Sequence, residues 1–520
     1  MEINDNNNNI PIRLSFEDAL NLTGLGKYNF GLLFVCCLLI LAMYIDIFGF
    51  SVVLPSVACD MGLSTSQQGL LSAIPLIGVM ISSYAWGLCA DTLGRRLTLL
   101  LAMPIGMILN LAASIAPSYI SLAVLKFFSA SFTSSANAAG FVLVGESVPA
   151  RVRGKFMLLM ASATMYVQFI ICVIALPITQ VSFSIDVPWL SMTYRPWRLL
   201  LQVISLPGII GVIGTIFMLE SPKFLISKGK EKSSIEILKT ISKWNIGTSE
   251  KTFCVESIFV EELEVQESTK KSVLVKIWNQ TAPLFKPPLL KNSLILYYIL
   301  LCAYMTSTGY TMWVPTMTNA FFIGGESTGK TFCEVASTAA TTSNSTTAIH
   351  CDNIIKPMTL YAVICYSGIS GSLNILLTFV VGPLGKKRTT ILVFSIALIC
   401  GIALLFVKIP IMSIVLFFVF LYVALILGNV NTYLVELNPT YLRGMATCLS
   451  VVVARGFGFF SIQLIASLLA NYCTSMISGY VILVFSGLVV TFFLPPDTQQ
   501  GKNKITSDLS KGNDRERTKS

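Results

Sequence analysis

Long apolar runs separated by short polar ones dominate this chain. Stretches near the length of about 20 residues that a spanning helix needs fall at roughly 31–55, 69–90, 96–116, 119–145, 155–178, 197–219, 293–321, 357–381, 388–407, 410–435, 445–469 and 472–494. Backbone amides in lipid have no water to bond, so runs of this length must satisfy them internally, as helices. The pattern predicts an all-α polytopic membrane protein with 12 transmembrane helices in two six-helix halves. The expected divisions are an N-terminal segment 1–30, a first half 31–220, a linker 221–292, a second half 293–495 with an outer loop 322–356, and a tail 496–520. The linker is rich in lysine and glutamate and poor in glycine and proline, which predicts short surface helices; the polar tail predicts disorder.

Composition agrees. Hydrophobic residues make up 54% of the chain and charged residues only 12%, too few to cover a soluble surface, so the lipid bilayer is the principal partner. The N-terminus opens with the polar run MEINDNNNNIPIR, and no cleavable secretory signal is expected. A net charge of +10 does not imply nucleic acid here, because the basic residues are not gathered into one domain. They alternate between loops: Arg95 and Arg96, then Arg151, Arg153 and Lys155, then Lys386, Lys387 and Arg388, then Arg443. The positive-inside bias places these loops, both termini and the linker in the cytosol. Arg195 and Arg198, on the opposite side, are the exceptions. Asn344-Ser345-Thr346 is the one glycosylation sequon this topology places outside. Cys333 and Cys351 flank it and are candidates for a disulfide, with Cys59 and Cys473 as competitors.

A motif occurs twice. Glu146-x-x-Pro149-x-x-x-Arg153-Gly154 follows the fourth span, and Glu436-x-x-Pro439-x-x-x-Arg443-Gly444 follows the tenth. A second pair keeps nearly the same offset: Asp91-x-x-Gly94-Arg95-Arg96 after the second span and Gly382-x-x-Gly385-Lys386-Lys387 after the eighth. Two motifs in register mark a duplication, the architecture of transporters that rock around a midplane site. Acid and arginine on neighbouring helix ends make charge-assisted bonds, and glycine permits the tight turn. The group therefore reads as a latch; its plainer role is to anchor topology by positive charge.

Gly87-x-x-x-Asp91-x-x-Gly94-Arg95-Arg96 resembles the loop signature between helices two and three of the major facilitator superfamily. Glu220-Ser221-Pro222-Lys223-Phe224-Leu225 resembles the signature after helix six in sugar porters and organic-ion transporters, and Pro495-Pro496-Asp497-Thr498 resembles the one after helix twelve. Within the superfamily the chain is similar to the synaptic vesicle glycoprotein 2 group and its insect relatives. That likeness rests on Phe16-Glu17-Asp18-Ala19, Thr23-Gly24-Leu25-Gly26-Lys27-Tyr28, Trp197-Arg198 and Gly309-Tyr310-Thr311-Met312-Trp313-Val314-Pro315. Two departures limit it. The segment between helices seven and eight is much shorter here than in that group, and Gly382 stands where the first-half copy has Asp91.

Ionisable groups inside a membrane are functional candidates by default. Asp46 lies near the middle of the first span, Lys126 in the outer third of the fourth and Arg455 near the middle of the eleventh. The resemblance implies that helices one, four, seven and eleven line a central cavity. Asp46 is a candidate to bind a cation or carry a coupling proton; the alternative is a buried salt bridge to Lys126 or Arg455. Tyr44, Tyr310 and Trp313 are candidate aromatic walls, and the resemblance implies a pocket role for the helix-one aspartate and the helix-seven tryptophan. Asn374 and Gln168 are candidate cavity polar groups or interhelical bonds. The only histidine, His350, falls in the outer loop.

No ATP-binding signature and no nucleophile–base pair appear, so an enzyme is not expected, nor a cofactor or metal. The expected function is secondary active transport of a small-molecule substrate, an organic solute or ion with a coupling ion, by a monomer in the plasma membrane or a secretory or synaptic vesicle. The alternative is a transporter-like vesicle protein that regulates exocytosis.

Overall fold

The computed structural model describes residues 13–190, 192–247, 255, 257–259, 282–287, 289–323, 331–335, 355–438, 440–469 and 471–495. Among these, eleven helices are long and apolar enough to cross a membrane, and a pair bent by 43° makes a twelfth span. The first six are Lys27–Met61, Thr65–Leu93, Arg95–Ser114, Tyr119–Ser147, the bent pair Ala150–Met165 and Val167–Thr179, and Pro196–Phe217. The second six are Leu290–Phe322, Pro357–Val381, Lys386–Phe406, Ile411–Leu434, Leu449–Leu468 and Cys473–Thr491. Each lies on one of the twelve apolar runs. Local chemistry sets several ends. Gly62, at φ 63°, closes the first span in the left-handed region, and Ser64 and Gln67 cap the second reciprocally.

The chain divides into two compact units. The first holds the six N-terminal spans, Met312–Phe322 of the seventh and the eighth span up to Gly371; the second holds the remaining spans. In the first unit, spans one and six meet along a glycine seam. A Cβ on Gly208, Gly211 or Gly214 would lie within 3.0 Å of Ala42, Leu39 or Val35 respectively, the close helix approach that small residues allow in lipid. Arg195 and Arg198, the exceptions to the charge bias, are neutralised locally. Asp60 accepts Arg195 at 2.8 Å and the Trp197 indole N–H at 3.2 Å, with Arg198 at 3.8 Å. Arg198 also donates to the carbonyls of Ser114 and Ala116 that end the third span.

The linker does more than form surface helices. Helix Glu231–Ile246 packs its apolar face against the N-terminal helix Phe16–Leu22, and strand Ser257–Phe259 pairs in parallel with Arg13–Ser15. Phe16, Ala19, Leu20, Ile235, Leu238, Val255 and Ile258 form a small core of their own. Asn245 joins this collar to the first span. Its side chain accepts from Tyr28 N–H at 3.1 Å and donates to the carbonyls of Thr23 and Gly24 and to Asn29 Oδ1.

In the second unit a disulfide joins Cys333 to Cys473, with Cα atoms 5.4 Å apart, and this corrects the expected Cys333–Cys351 bridge. Cys473 opens the twelfth span, and the fold brings the short helix 332–335 to it across a separation of 140 residues, which spacing along the loop cannot reveal. Cys351 and Asn344 lie outside the described residues, as does the tail from 496.

Candidate functional site

Two polar sites are built into the first unit. Deep inside the helices, Asp46 and Lys126 form an ion pair with both side chains essentially inaccessible to solvent. Lys126 Nζ donates to Asp46 Oδ1, to the Asp46 carbonyl at 2.8 Å and to Asn110 Oδ1 at 3.1 Å, so all three ammonium protons are used. Asp46 Oδ2 accepts from Ser129 Oγ at 2.6 Å and Thr133 Oγ1 at 3.1 Å. Lys126, Ser129 and Thr133 recur at helical spacing and present one polar stripe of the fourth span to the first. Asn110 Nδ2 extends the network to Ser205 at 2.9 Å. Spans one, three, four and six thus share one saturated cluster. Of the two partners open to Asp46, the structure selects Lys126.

The second site lies at the end of the helices. Gly94, at φ 112°, turns the chain between the second and third spans. Arg95 then reaches Glu146 through Nε and Nη2 at 3.1 and 3.3 Å, and Asp91 through Nη2 at 3.1 Å. Glu220 sits on the N-terminus of the third span. Its carboxylate accepts from the backbone N–H of Arg95 at 2.9 Å and Arg96 at 3.0 Å, with a longer contact to Leu97, where the helix dipole favours an anion. A Cβ at residue 94 would lie 2.5 Å from Glu220 Oε2, so this seat demands glycine twice over. Arg96 turns the other way and donates to the carbonyls of Thr215 and Ile216 at the end of the sixth span. Ser221 donates to Glu146 at 2.5 Å, and Arg153 pairs with Glu17 of the N-terminal helix at 2.8 Å. The two loop motifs of the first half therefore form one lattice through Arg95 and Glu146. Glu220 and Ser221 were absent from the expected latch; their signature after helix six was the signal that could have added them.

In the second unit, Gly385 repeats the turn at φ 87°, and Lys387 donates to the carbonyls of Phe492 at 2.8 Å and Leu494 at 2.6 Å. Lys387 does for the twelfth span what Arg96 does for the sixth. The side chains of Gly382's neighbours in the repeat, Glu436 and Arg443, lie outside the described residues.

The remaining candidates are dispersed. Tyr44 is half-buried and stacks on Phe48. Trp313 is buried in the first unit, whereas Tyr310, three residues earlier, enters an aromatic cluster of the second unit with Phe417, Phe420 and Tyr480. The Tyr310 hydroxyl is enclosed there without a hydrogen-bond partner among the described residues. Arg455 and Gln168 are buried and Asn374 is half-buried. No cluster of metal-ligating side chains occurs among the described residues.

Twelve apolar spans carrying a duplicated, glycine-turned basic loop define a polytopic helical membrane protein of the two-fold repeated type. The family model for the Major Facilitator Superfamily matches residues 36–462, and the chain belongs to that superfamily, whose members are transporters and not enzymes. Human synaptic vesicle glycoprotein 2B is 26% identical over 328 residues, covering 59% of this chain and 47% of that protein. Mouse synaptic vesicle glycoprotein 2C is 26% identical over 321 residues, covering 58% and 44%. The chain spans about half the length of the curated relatives it matches. Among solved structures, the partially occluded inward-open xylose transporter XylE from E. coli matches with a TM-score of 0.63 at 16% identity, covering 91% of this chain and 100% of that one. Its inward-open form matches with a TM-score of 0.64, covering 90% and 97%. At that identity the likeness shows the fold alone.

Proposed function

We propose that this chain is a secondary active transporter of a small organic solute or ion, working by alternating access, with Asp46 as the site of a coupling proton. The sealed Asp46–Lys126 pair carries this reading. Ions inside a membrane are expensive, and a buried pair stabilises a fold little better than apolar residues of the same volume. What such a pair does supply is two arrangements that differ by one proton and one unit of charge. In one, carboxylate and ammonium bind each other. In the other, a proton on Asp46 leaves a carboxylic acid for Ser129 and Thr133 and frees Lys126 to re-pair. Because Asp46 is saturated by its own neighbours, a proton is a better fit to it than direct contact with solute. The latch face and both termini are cytosolic in this reading, in keeping with the loop charges.

The test is gradient-driven accumulation in proteoliposomes, screened over organic cations, sugars, carboxylates and nucleosides. Asp46→Asn is expected to abolish accumulation against a gradient while sparing downhill exchange. Accumulation that survives in Asp46→Asn would remove the coupling role. The single variant strands Lys126, at a cost of about 3–5 kcal/mol, so the double variant Asp46→Leu/Lys126→Met, expected to recover most of that stability, separates loss of coupling from loss of fold. A second reading is favoured by the similarity to synaptic vesicle glycoproteins: a vesicle membrane protein that acts through binding. It gains if no solute of any class accumulates and the protein fractionates with secretory vesicles.

A further inference from the structure

The collar exposes an apolar patch for which transport has no use. Leu22 and Leu25, on either side of the turn that leaves the N-terminal helix, and Trp244 and Ile246, at the end of the linker helix, are all between 44% and 55% exposed. They are neighbours in space. A Cβ on Gly24 would touch the Ile246 side chain at 2.9 Å, and the Trp244 ring meets Tyr28 edge-on at 5.8 Å. The patch also sits at the end of a membrane-spanning helix: Leu25 stands two residues before the first span begins at Lys27, and Trp244 packs on Tyr28, one residue into it. Exposed Lys27 and Lys243 lie in sequence beside this patch.

We infer that the collar is an interfacial membrane anchor, with Leu22, Leu25, Trp244 and Ile246 set into the acyl–headgroup boundary of the adjacent leaflet and Lys27 and Lys243 meeting acidic phospholipid. Tryptophan prefers this depth, and apolar area combined with lysine is what binds a surface of acidic lipid. The consequence is regulatory. Asn245 fastens the linker helix to the start of the first span, and Glu17 fastens the N-terminal helix to Arg153, so lipid that holds the collar also holds the latch end of the unit. This goes beyond the transporter reading and survives its failure.

The experiment uses the full chain in proteoliposomes whose lipids are brominated near the headgroup end of the acyl chains. Trp244 is one of six tryptophans, and its emission is the difference between wild type and Trp244→Phe. That difference is expected to be quenched by the brominated lipid and spared by aqueous iodide. Quenching by iodide instead would place the patch in water, and protection from both quenchers would place it under protein, such as a second copy; either overturns the proposal. In parallel, replacing phosphatidylcholine by phosphatidylserine is expected to raise the melting temperature of wild type and to lose that increment in Lys27→Gln/Lys243→Gln. An increment of equal size in the double variant, or none in wild type, would overturn the acidic-lipid assignment.

Discussion

The loop after the second span and its counterpart after the eighth have one geometry and two chemistries. Both turn on a glycine with positive φ and both send a basic side chain to the carbonyl end of the last helix of their own half: Arg96 to the sixth span, Lys387 to the twelfth. Only the first loop is described with a charged lattice, in which Asp91, Glu146 and Glu220 surround Arg95. In the second, Gly382 stands where Asp91 would be, and Asp497, the acid that follows the twelfth span, lies outside the described residues. Among the described residues the carbonyl cap is thus the part of the motif common to both halves, and in the first half carboxylates also couple three helix ends.

The largest test of this difference is Gly94→Ala against Gly385→Ala. Both strain a positive φ, but at residue 94 the methyl also displaces the Glu220 carboxylate. A loss of about 3 kcal/mol is expected at residue 94 and about 1–2 kcal/mol at residue 385, read as thermal unfolding of purified protein in detergent. Equal shifts would mean that the Glu220 seat adds nothing. Glu220→Gln comes next. It keeps an acceptor but removes the charge from the third helix's N-terminus, for an expected loss of about 1–2 kcal/mol, and added salt should narrow the gap to wild type. A salt-independent gap would point to shape instead of charge. The smallest effect is the exchange of Asp91→Gly and Gly382→Asp. The Asp91 side chain is 71% exposed, so each change is expected to stay within about 1 kcal/mol. A larger loss from Asp91→Gly would show the lattice to be more cooperative than its geometry suggests.

Most of the fold was legible because lipid imposes a simple rule: every span had to be an apolar helix, and each was found on its run. Contacts between distant segments were less so. The duplication gave the latch residues, but the seat of Glu220 depends on where the sixth span ends against the third, which no local pattern states. The collar core was missed for the same reason, since Phe16 and Leu238 read as ordinary apolar residues in polar surroundings until they are brought together. Tyr310 illustrates the limit on pocket prediction. Spacing places it and Trp313 on one helix, yet the two residues fall in different compact units, and the Tyr310 ring is spent on an aromatic cluster.

The ion pair and the glycine seam also constrain how the protein is made. Asp46 enters the membrane in the first span, and Lys126 follows 80 residues later. The seam partners of the first span, around Gly211, come roughly 170 residues after Leu39, which at about 5–20 residues per second is on the order of ten to thirty seconds of synthesis. For about the first half of that interval the first span carries an acid with no counter-ion, and for all of it a flank with no neighbour. A chaperone or insertase able to shelter a half-finished helix would find its longest task at the very start of this chain, and a pause in translation before the fourth span would be costlier than one after the sixth.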